Sequence, residues 1–346
     1  MVQFNKIVPR CLLVGIAFLA LLSVLQGFRN GLNFVDFHWE SAALFLRGEN
    51  PYQWFFDGRL FQDVYVDATQ APSTIAFILP YGLFNHFVGN MLWDVSNLLF
   101  VAIFLWQVRC AWFRNSPWPM AFVACLFLAG TPWRNCIGNG QHVMFSFMFF
   151  MLAYNAMESN KSKWLMGALM SASLFKYTVA VPMAFVFLFR REWRAMFVCA
   201  GLHVALTVLL GAWTQTNPLT LVLQSMQIGA ALNACGGDAD IAGLAHAFGW
   251  DCVKPLALVG YAFWTIVLFV FSFTGKRDTL LKLAAMSVVA NVMFYHRVYD
   301  FVTLIFPVIW LVRSASENDF KHVLAKCLIV LEVANVFFVG RILSAL

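Results

Sequence analysis

Residues 164–189, WLMGALMSASLFKYTVAVPMAFVFLF, decide the fold class. These 26 residues carry one charge, Lys176, at their middle. A transmembrane helix takes about 20 mostly apolar residues. The stretch is therefore either one long helix with a lysine at its centre or two short helices that meet near Lys176. The flanks favour the second. Lys161 and Lys163 precede the stretch, and Arg190, Arg191 and Arg194 follow it. Basic residues gather on the cytoplasmic side, and two flanks on one side require an even number of crossings. Two short helices are expected, with Lys176 near the outer side.

The rest of the chain agrees with a membrane environment. Of its 346 residues, 61% are apolar and 12% charged, with a mean hydropathy of +0.74. Soluble domains hold about 45–50% apolar and about 25% charged residues. A soluble enzyme, a disordered chain and a secreted disulfide scaffold are thus excluded. The 37 Phe and 13 Trp fit a lipid-facing surface with aromatic belts. Long apolar blocks in place of alternating strands exclude an outer-membrane barrel. The net charge of +6 serves orientation here. The eight cysteines show no metal-ligand spacing.

Lys6 and Arg10 precede a first apolar run, Cys11 to Phe28, read as a retained helix with a cytoplasmic N-terminus. Further blocks run over 72–86, 90–108, 117–133, 142–157, 164–176, 177–189, 195–213, 253–273, 280–295, 299–313 and 323–343. The basic gaps fall on one side if 72–86, interrupted by Pro72 and Pro80, is re-entrant. About 11 spans then remain, with 15 of 23 Lys/Arg inside. In the alternative, 72–86 spans and Arg109 and Arg114 lie outside. The expected fold is all-α: a single polytopic membrane domain, 1–346, with about 11 transmembrane helices and outer-face amphipathic or re-entrant helices.

Two long outer segments, 29–71 and 214–252, and three short outer turns collect the unusual polar residues. Residues 36–47, DFHWESAALFLR, have helical spacing and suit an amphipathic helix in the interface plane, stopped by Gly48. Asp36 at its start is either an N-cap or a functional carboxylate. Lys176 is either a snorkelling lysine or a functional charge. His296, Arg297 and Asp300 form a dense polar turn that suits an anionic head group or simply salt-bridges itself. Asn139-Gly140-Gln141-His142 begins a helix, and is either an ordinary polar turn or a place where backbone N–H groups and side-chain donors hold a phosphate or a sugar hydroxyl. Asp238-Ala239-Asp240 is a weak metal signal, and Cys235 and Cys252 can close a disulfide. Trp39, Tyr52, Trp54 and Trp133 are interface anchors or sugar-stacking surfaces.

The order of these features resembles glycosyltransferase family 87, membrane enzymes of the GT-C superfamily. The resemblance is carried by Asp36, Gly48-Glu49-Asn50-Pro51-Tyr52, Pro72 to Tyr81, Gly140-Gln141, Gly167, Lys176, Pro182, the basic end Arg190 to Arg194, and Tyr295 to Asp300 with Pro307. It spans residues 10–312. His38-Trp39-Glu40 and Asp238 to Gly243 depart from the family pattern.

The resemblance implies transfer of a sugar, mannose first, from a polyprenyl-phosphate carrier to a glycan or lipid acceptor. The reaction would invert the sugar and lie on the outer face of the cell membrane, a bacterial inner membrane. It implies Asp36 as the general base. Lys176, His296, Arg297, Gln141 and His142 would bind the donor phosphate, and Trp39, Glu40, Tyr52 and Asp300 the substrates. No metal, cofactor or nucleic acid is expected. A multi-pass transporter or flippase of lipid-linked glycans is the alternative. Ionisable residues gathered at one face, without internal repeats, count against it.

Overall fold

The computed structural model describes residues 10–31, 37–66, 68–232, 263, 266–267, 279–293 and 298–314. Among these residues the chain is a helical bundle whose one sheet is a hairpin of two-residue strands. Helix α1 spans Arg10–Gly31. Short helices α2 (Trp39–Leu46) and α3 (Pro51–Phe56) follow, then the hairpin β1 (Leu60–Phe61) and β2 (Val64–Tyr65), then α4 (Pro72–Ile75) and a 3₁₀ turn, Leu79–Leu83. Helix α5 is long, His86–Trp112. After it come α6 (Pro117–Ala129), α7 (Thr131–Gly138), α8 (Val143–Glu158), α9 (Lys163–Ser173), α10 (Tyr177–Phe189), α11 (Trp193–Trp213) and α12 (Pro218–Leu232). Helix α13 (Thr279–Met293), a 3₁₀ turn (Val298–Leu304) and α14 (Ile305–Ser314) complete the described part.

Four helical runs among the described residues have the length and hydropathy of a membrane span: Leu12–Gly31, His86–Trp112, Trp193–Trp213 and Lys163–Phe189, the last of which is a hairpin and not one straight helix. A fifth joins α6 and α7 across a 57° bend. Several blocks read as spans from sequence make shorter helices, of 16 residues in α8, 15 in α13 and 10 in α14. The block at 72–86 becomes α4 and the 3₁₀ turn, because Pro72 and Pro80 each start a new helix without extending the last.

The run Lys163–Phe189 folds back at its middle. A straight helix of 27 residues would separate its ends by about 40 Å. Instead Lys163 Nζ meets Glu192 Oε2 at 2.8 Å, and Arg190 meets Glu158 at 2.9 Å. The reversal falls on the 3₁₀ turn Leu174–Lys176 between α9 and α10. Asn155 Nδ2 donates to Gln107 O at 3.1 Å, which brings the end of α5 to the end of α8. The basic gaps at 109–114, 161–163 and 190–194 thus share one end of the bundle.

Helices α9 and α11 start side by side at that end, but α9 has 11 residues and α11 has 21. These counts correspond to about 16 and about 31 Å. The 3₁₀ turn Leu174–Lys176 adds about 6 Å, so Lys176 lies roughly two thirds of the way along α11, towards the end away from the basic gaps. Gly167 lets α9 and α11 touch: a Cβ there would stand 2.6 Å from Ala195 O and from Val198 Cβ.

The helix read over 36–47 is also corrected. It begins at Trp39, and its N-cap position is His38, left-handed at φ 58°, without a side-chain cap bond. It does not lie amphipathically in an interface plane, for Trp39 through Phe45 are all buried. The 3₁₀ turn Leu79–Leu83 covers it, and Gly82 lies against the Ala42–Ala43 backbone. Gly48, at φ +75°, ends it as read from sequence, with its N–H bonded to Phe45 O at 3.0 Å. Asn50 then caps α3, accepting from Tyr52 N–H at 3.0 Å, with Pro51 at the first helical position.

Replacement of Gly167 by Val is expected to lower stability by about 1–3 kcal/mol through overpacking of the α9–α11 contact. A thermal-unfolding midpoint in detergent equal to that of the wild type would refute the close approach.

Candidate active site

The site assembles where three helical breaks meet at the level of the Lys176 turn. The first break ends α7. Gly140, at φ +57°, donates its N–H to Ile137 O at 3.1 Å, and Gln141 N–H donates to Cys136 O at 2.9 Å. This is a glycine-terminated helix end, which only a residue free of Cβ crowding adopts easily. It turns Gln141 and His142 inward, 4% and 1% exposed. It also corrects one expectation from sequence. The N–H groups of Asn139, Gly140 and Gln141 all bond α7 carbonyls, so they are not donors for a phosphate.

The second break is the α9–α10 turn. Its backbone is fixed by Lys176 N–H donating to Ser146 Oγ of α8 at 2.9 Å. The Lys176 ammonium then lies 3.4 Å from Gln141 Oε1, 3.7 Å from Asp300 Oδ1 and 5.1 Å from the centre of the Tyr299 ring. The third break, the 3₁₀ turn Val298–Leu304, supplies Asp300 and Tyr299. Asp300 is buried.

An aromatic column backs this cluster. The His142 ring stacks on Phe175 at 4.4 Å and on His38 at 5.0 Å. Phe37 stacks on Trp93 at 4.4 Å, and Trp93 Nε1–H donates to Gly140 O at 2.8 Å. His142 Nε2–H donates to the Phe37 carbonyl at 3.1 Å. That bond fixes the tautomer, since a carbonyl only accepts; Nδ1 is then a lone-pair acceptor without a hydrogen-bond partner. A phosphate oxygen is an acceptor too. In this state His142 does not donate to a phosphate, and its evident work is to hold the Phe37 backbone.

Of the residues singled out from sequence, the structure brings together Lys176, Gln141, His142 and Asp300. Asp36, His296 and Arg297 lie outside the described residues, as do Asp238, Asp240, Cys235 and Cys252. Trp39 and Tyr52 are buried with their polar ends bonded inside the protein, Trp39 Nε1 to Phe84 O at 3.1 Å and Tyr52 Oη to Gln70 O at 2.7 Å. Burial pushes the Tyr52 phenol above its ordinary range and keeps it the donor. Glu40 is buried on α2. Trp54 bonds Glu49 at 2.9 Å and carries Arg59 over its ring at 3.6 Å.

Sequence reasoning missed Ser146, His38 as a stacking partner, and Asp94. The last had a signal, being the one carboxylate inside the 90–108 block. Asp94 is buried on α5 beside Gly31, and its Oδ2 has no hydrogen-bond partner.

From Phe301, the residue after Asp300, an apolar cleft opens between the α6–α7 bend and the 298–304 turn, lined also by Leu126, Phe127, Pro132, Trp133 and Ile305. A partly buried cation paired with Asp300, whose sequence neighbour Phe301 lines an apolar cleft, suits an amphiphile with an anionic head. The family model described as glycosyltransferase family 87 matches residues 69–307. The chain belongs to glycosyltransferase family 87. It is a membrane glycosyltransferase, and it works with a sugar donor and an acceptor. The matched span of this glycosyltransferase includes Gln141, His142, Lys176, His296, Arg297 and Asp300, while Asp36, Trp39, Glu40 and Tyr52 precede it. No curated protein and no solved structure matches the chain.

Exchange of His142 for Phe keeps a ring in the column but removes the donor to Phe37 O. A buried carbonyl left unmade costs about 1–3 kcal/mol, so a lowered thermal midpoint is expected. His142→Ala should lower it further, because the stacking volume is lost as well. Equal midpoints for wild type and His142→Phe would show that the bond does not hold the Phe37 backbone.

Proposed function

We propose that this glycosyltransferase moves a sugar, mannose first, from a polyprenyl-phosphate carrier to a glycan or lipid acceptor at the outer face of the cell membrane. The observation that carries the reading is the Lys176 ammonium, paired with Asp300 of the 3₁₀ turn whose Phe301 lines an apolar cleft. A sugar-nucleotide donor would need no apolar cleft beside its phosphate. A lipid-linked donor needs both features at once.

In this reading the acceptor oxygen attacks the anomeric carbon from the face opposite the phosphate. The new C–O bond forms as the bond from the anomeric carbon to the phosphate oxygen breaks, and the configuration inverts. Asp36 takes the acceptor's hydroxyl proton. The leaving group departs with the bonding electron pair as polyprenyl phosphate. Lys176 stabilises the charge that develops on it, and a cation preset where it is largely shielded from water acts more strongly than one in bulk water. The side-chain amide of Gln141 is a second donor. His296 and Arg297 stand three and two residues before Tyr299 in sequence, which supports a place for them near the same phosphate. Trp39, Glu40 and Tyr52, buried within the first outer segment, shape the wall of the site. The N-terminus lies in the cytoplasm, with the shared basic end of the bundle.

Purified enzyme in lipid discs, given polyprenyl-phosphate mannose and a lipid-glycan acceptor extract, is expected to release polyprenyl phosphate. Asp36→Asn should cut that release by about 10²–10⁴-fold without changing the thermal midpoint. Lys176→Gln should cut it by about 10²–10³-fold. Equal release by Asp36→Asn and wild type would remove Asp36 from the chemistry. Absence of release with every polyprenyl-phosphate sugar tried would overturn the donor class.

A further inference from the structure

Both oxygens that face the Lys176 ammonium stand off from it. Charge-assisted N–H···O bonds measure about 2.7–2.9 Å, yet Gln141 Oε1 is at 3.4 Å and Asp300 Oδ1 at 3.7 Å. The ammonium is compensated in charge but not locked in geometry. The two partners also differ in freedom. Asp300 sits on a 3₁₀ turn whose backbone is tied down, with Thr303 Oγ1–H donating to Asp300 O at 3.1 Å and Asn291 Nδ2 bonded to Thr303. The Asp300 side chain is 1% exposed against 15% for Lys176. Any movement at this pair belongs to the lysine, which carries its charge on a four-carbon stem.

Taking the anion of the site to be a lipid phosphate, as proposed above, we propose that Asp300 is an internal competitor for Lys176. It holds the ammonium while the phosphate is absent, yields it when the phosphate binds, and reclaims it as the product leaves. The charge balance of the transfer gives the device its use. The donor is a phosphodiester with one negative charge. The released polyprenyl phosphate is a monoester with a charge approaching two. A lone lysine would hold the product more firmly than the substrate and slow each turnover. A fixed carboxylate 3.7 Å from the same lysine opposes that trap, because like charges brought together across a desolvated contact repel. Asp300 in this role is a positioning residue that acts through Lys176.

The test measures equilibrium binding of farnesyl phosphate and of farnesol to the full-length protein in lipid discs. Asp300→Asn is expected to bind farnesyl phosphate about tenfold tighter, with farnesol unchanged. Asp300→Glu, whose longer arm reaches Lys176 at hydrogen-bond distance, should bind farnesyl phosphate several-fold more weakly. The gain in Asp300→Asn should vanish when Lys176→Gln is added. Unchanged or weaker binding by Asp300→Asn overturns the proposal, as does a gain that persists without Lys176. Should Asp300→Asn fail to fold, Asp300→Glu decides alone, and unchanged or tighter binding overturns it. A wild type that does not prefer farnesyl phosphate to farnesol overturns the lipid-phosphate reading itself. A preference that Asp300→Asn leaves unaltered overturns only the competitor.

Discussion

An ammonium inside an apolar bundle must find its compensation in the protein, because a buried charge without a partner is too costly to keep. In this chain that requirement gathers segments far apart in sequence. Gln141 comes from the end of one helix, Lys176 from a turn between two half-length helices, and Asp300 from a 3₁₀ turn. None of these side chains lies inside a regular helix. Each needs a break in the backbone at one level of the bundle, and the breaks have separate local causes: a left-handed glycine at 140, a reversal pinned by Ser146, and a 3₁₀ turn before α14. The ion pair is the point at which these local irregularities agree.

The membrane class and the fold-back at Lys176 were legible because charge is sparse in this chain. With so few Lys and Arg, each basic gap carries weight, and the gaps flanking 164–189 meet through Lys163–Glu192 and Arg190–Glu158. The depth of Lys176 was not legible. Basic residues report which side a loop lies on but not how far a hairpin reaches, and only the comparison of α9 with α11 supplies that. The short helix after Asp36 misled for a related reason. Its spacing reads as an amphipathic helix in the interface plane, but a tertiary cover over Ala42 and Ala43 buries all sides. Periodicity sees one helix at a time and is blind to a lid that arrives from residues 79–83.

Among the site residues, Gln141, Lys176 and Asp300 were readable as rare polar groups amid apolar sequence. The work of His142 was not, because its donor bond goes to a main-chain carbonyl 105 positions away. No side-chain pattern announces such a bond. The same holds for the column of Trp93, Phe37, His38, His142 and Phe175. In a chain with 37 phenylalanines, four or five rings in contact leave no trace in composition. The column ties the start of α2, the first third of α5, the entry to α8 and the α9–α10 turn to one another. The shape of the recess is thus shared among four segments.

The unequal exposure of Lys176 and Asp300 also governs how strongly charges act in the site. The lysine side chain keeps 15% of its surface open and the aspartate 1%, so whatever covers the open side of the lysine sets the local dielectric. Two unit charges at a fixed separation interact about four times more strongly at an effective dielectric of 20 than in bulk water. Water on that side therefore mutes the pair, and an occupant that expels the water amplifies both charges. The electrostatics of the site are switched by what covers the lysine, with no movement of the helices that hold it.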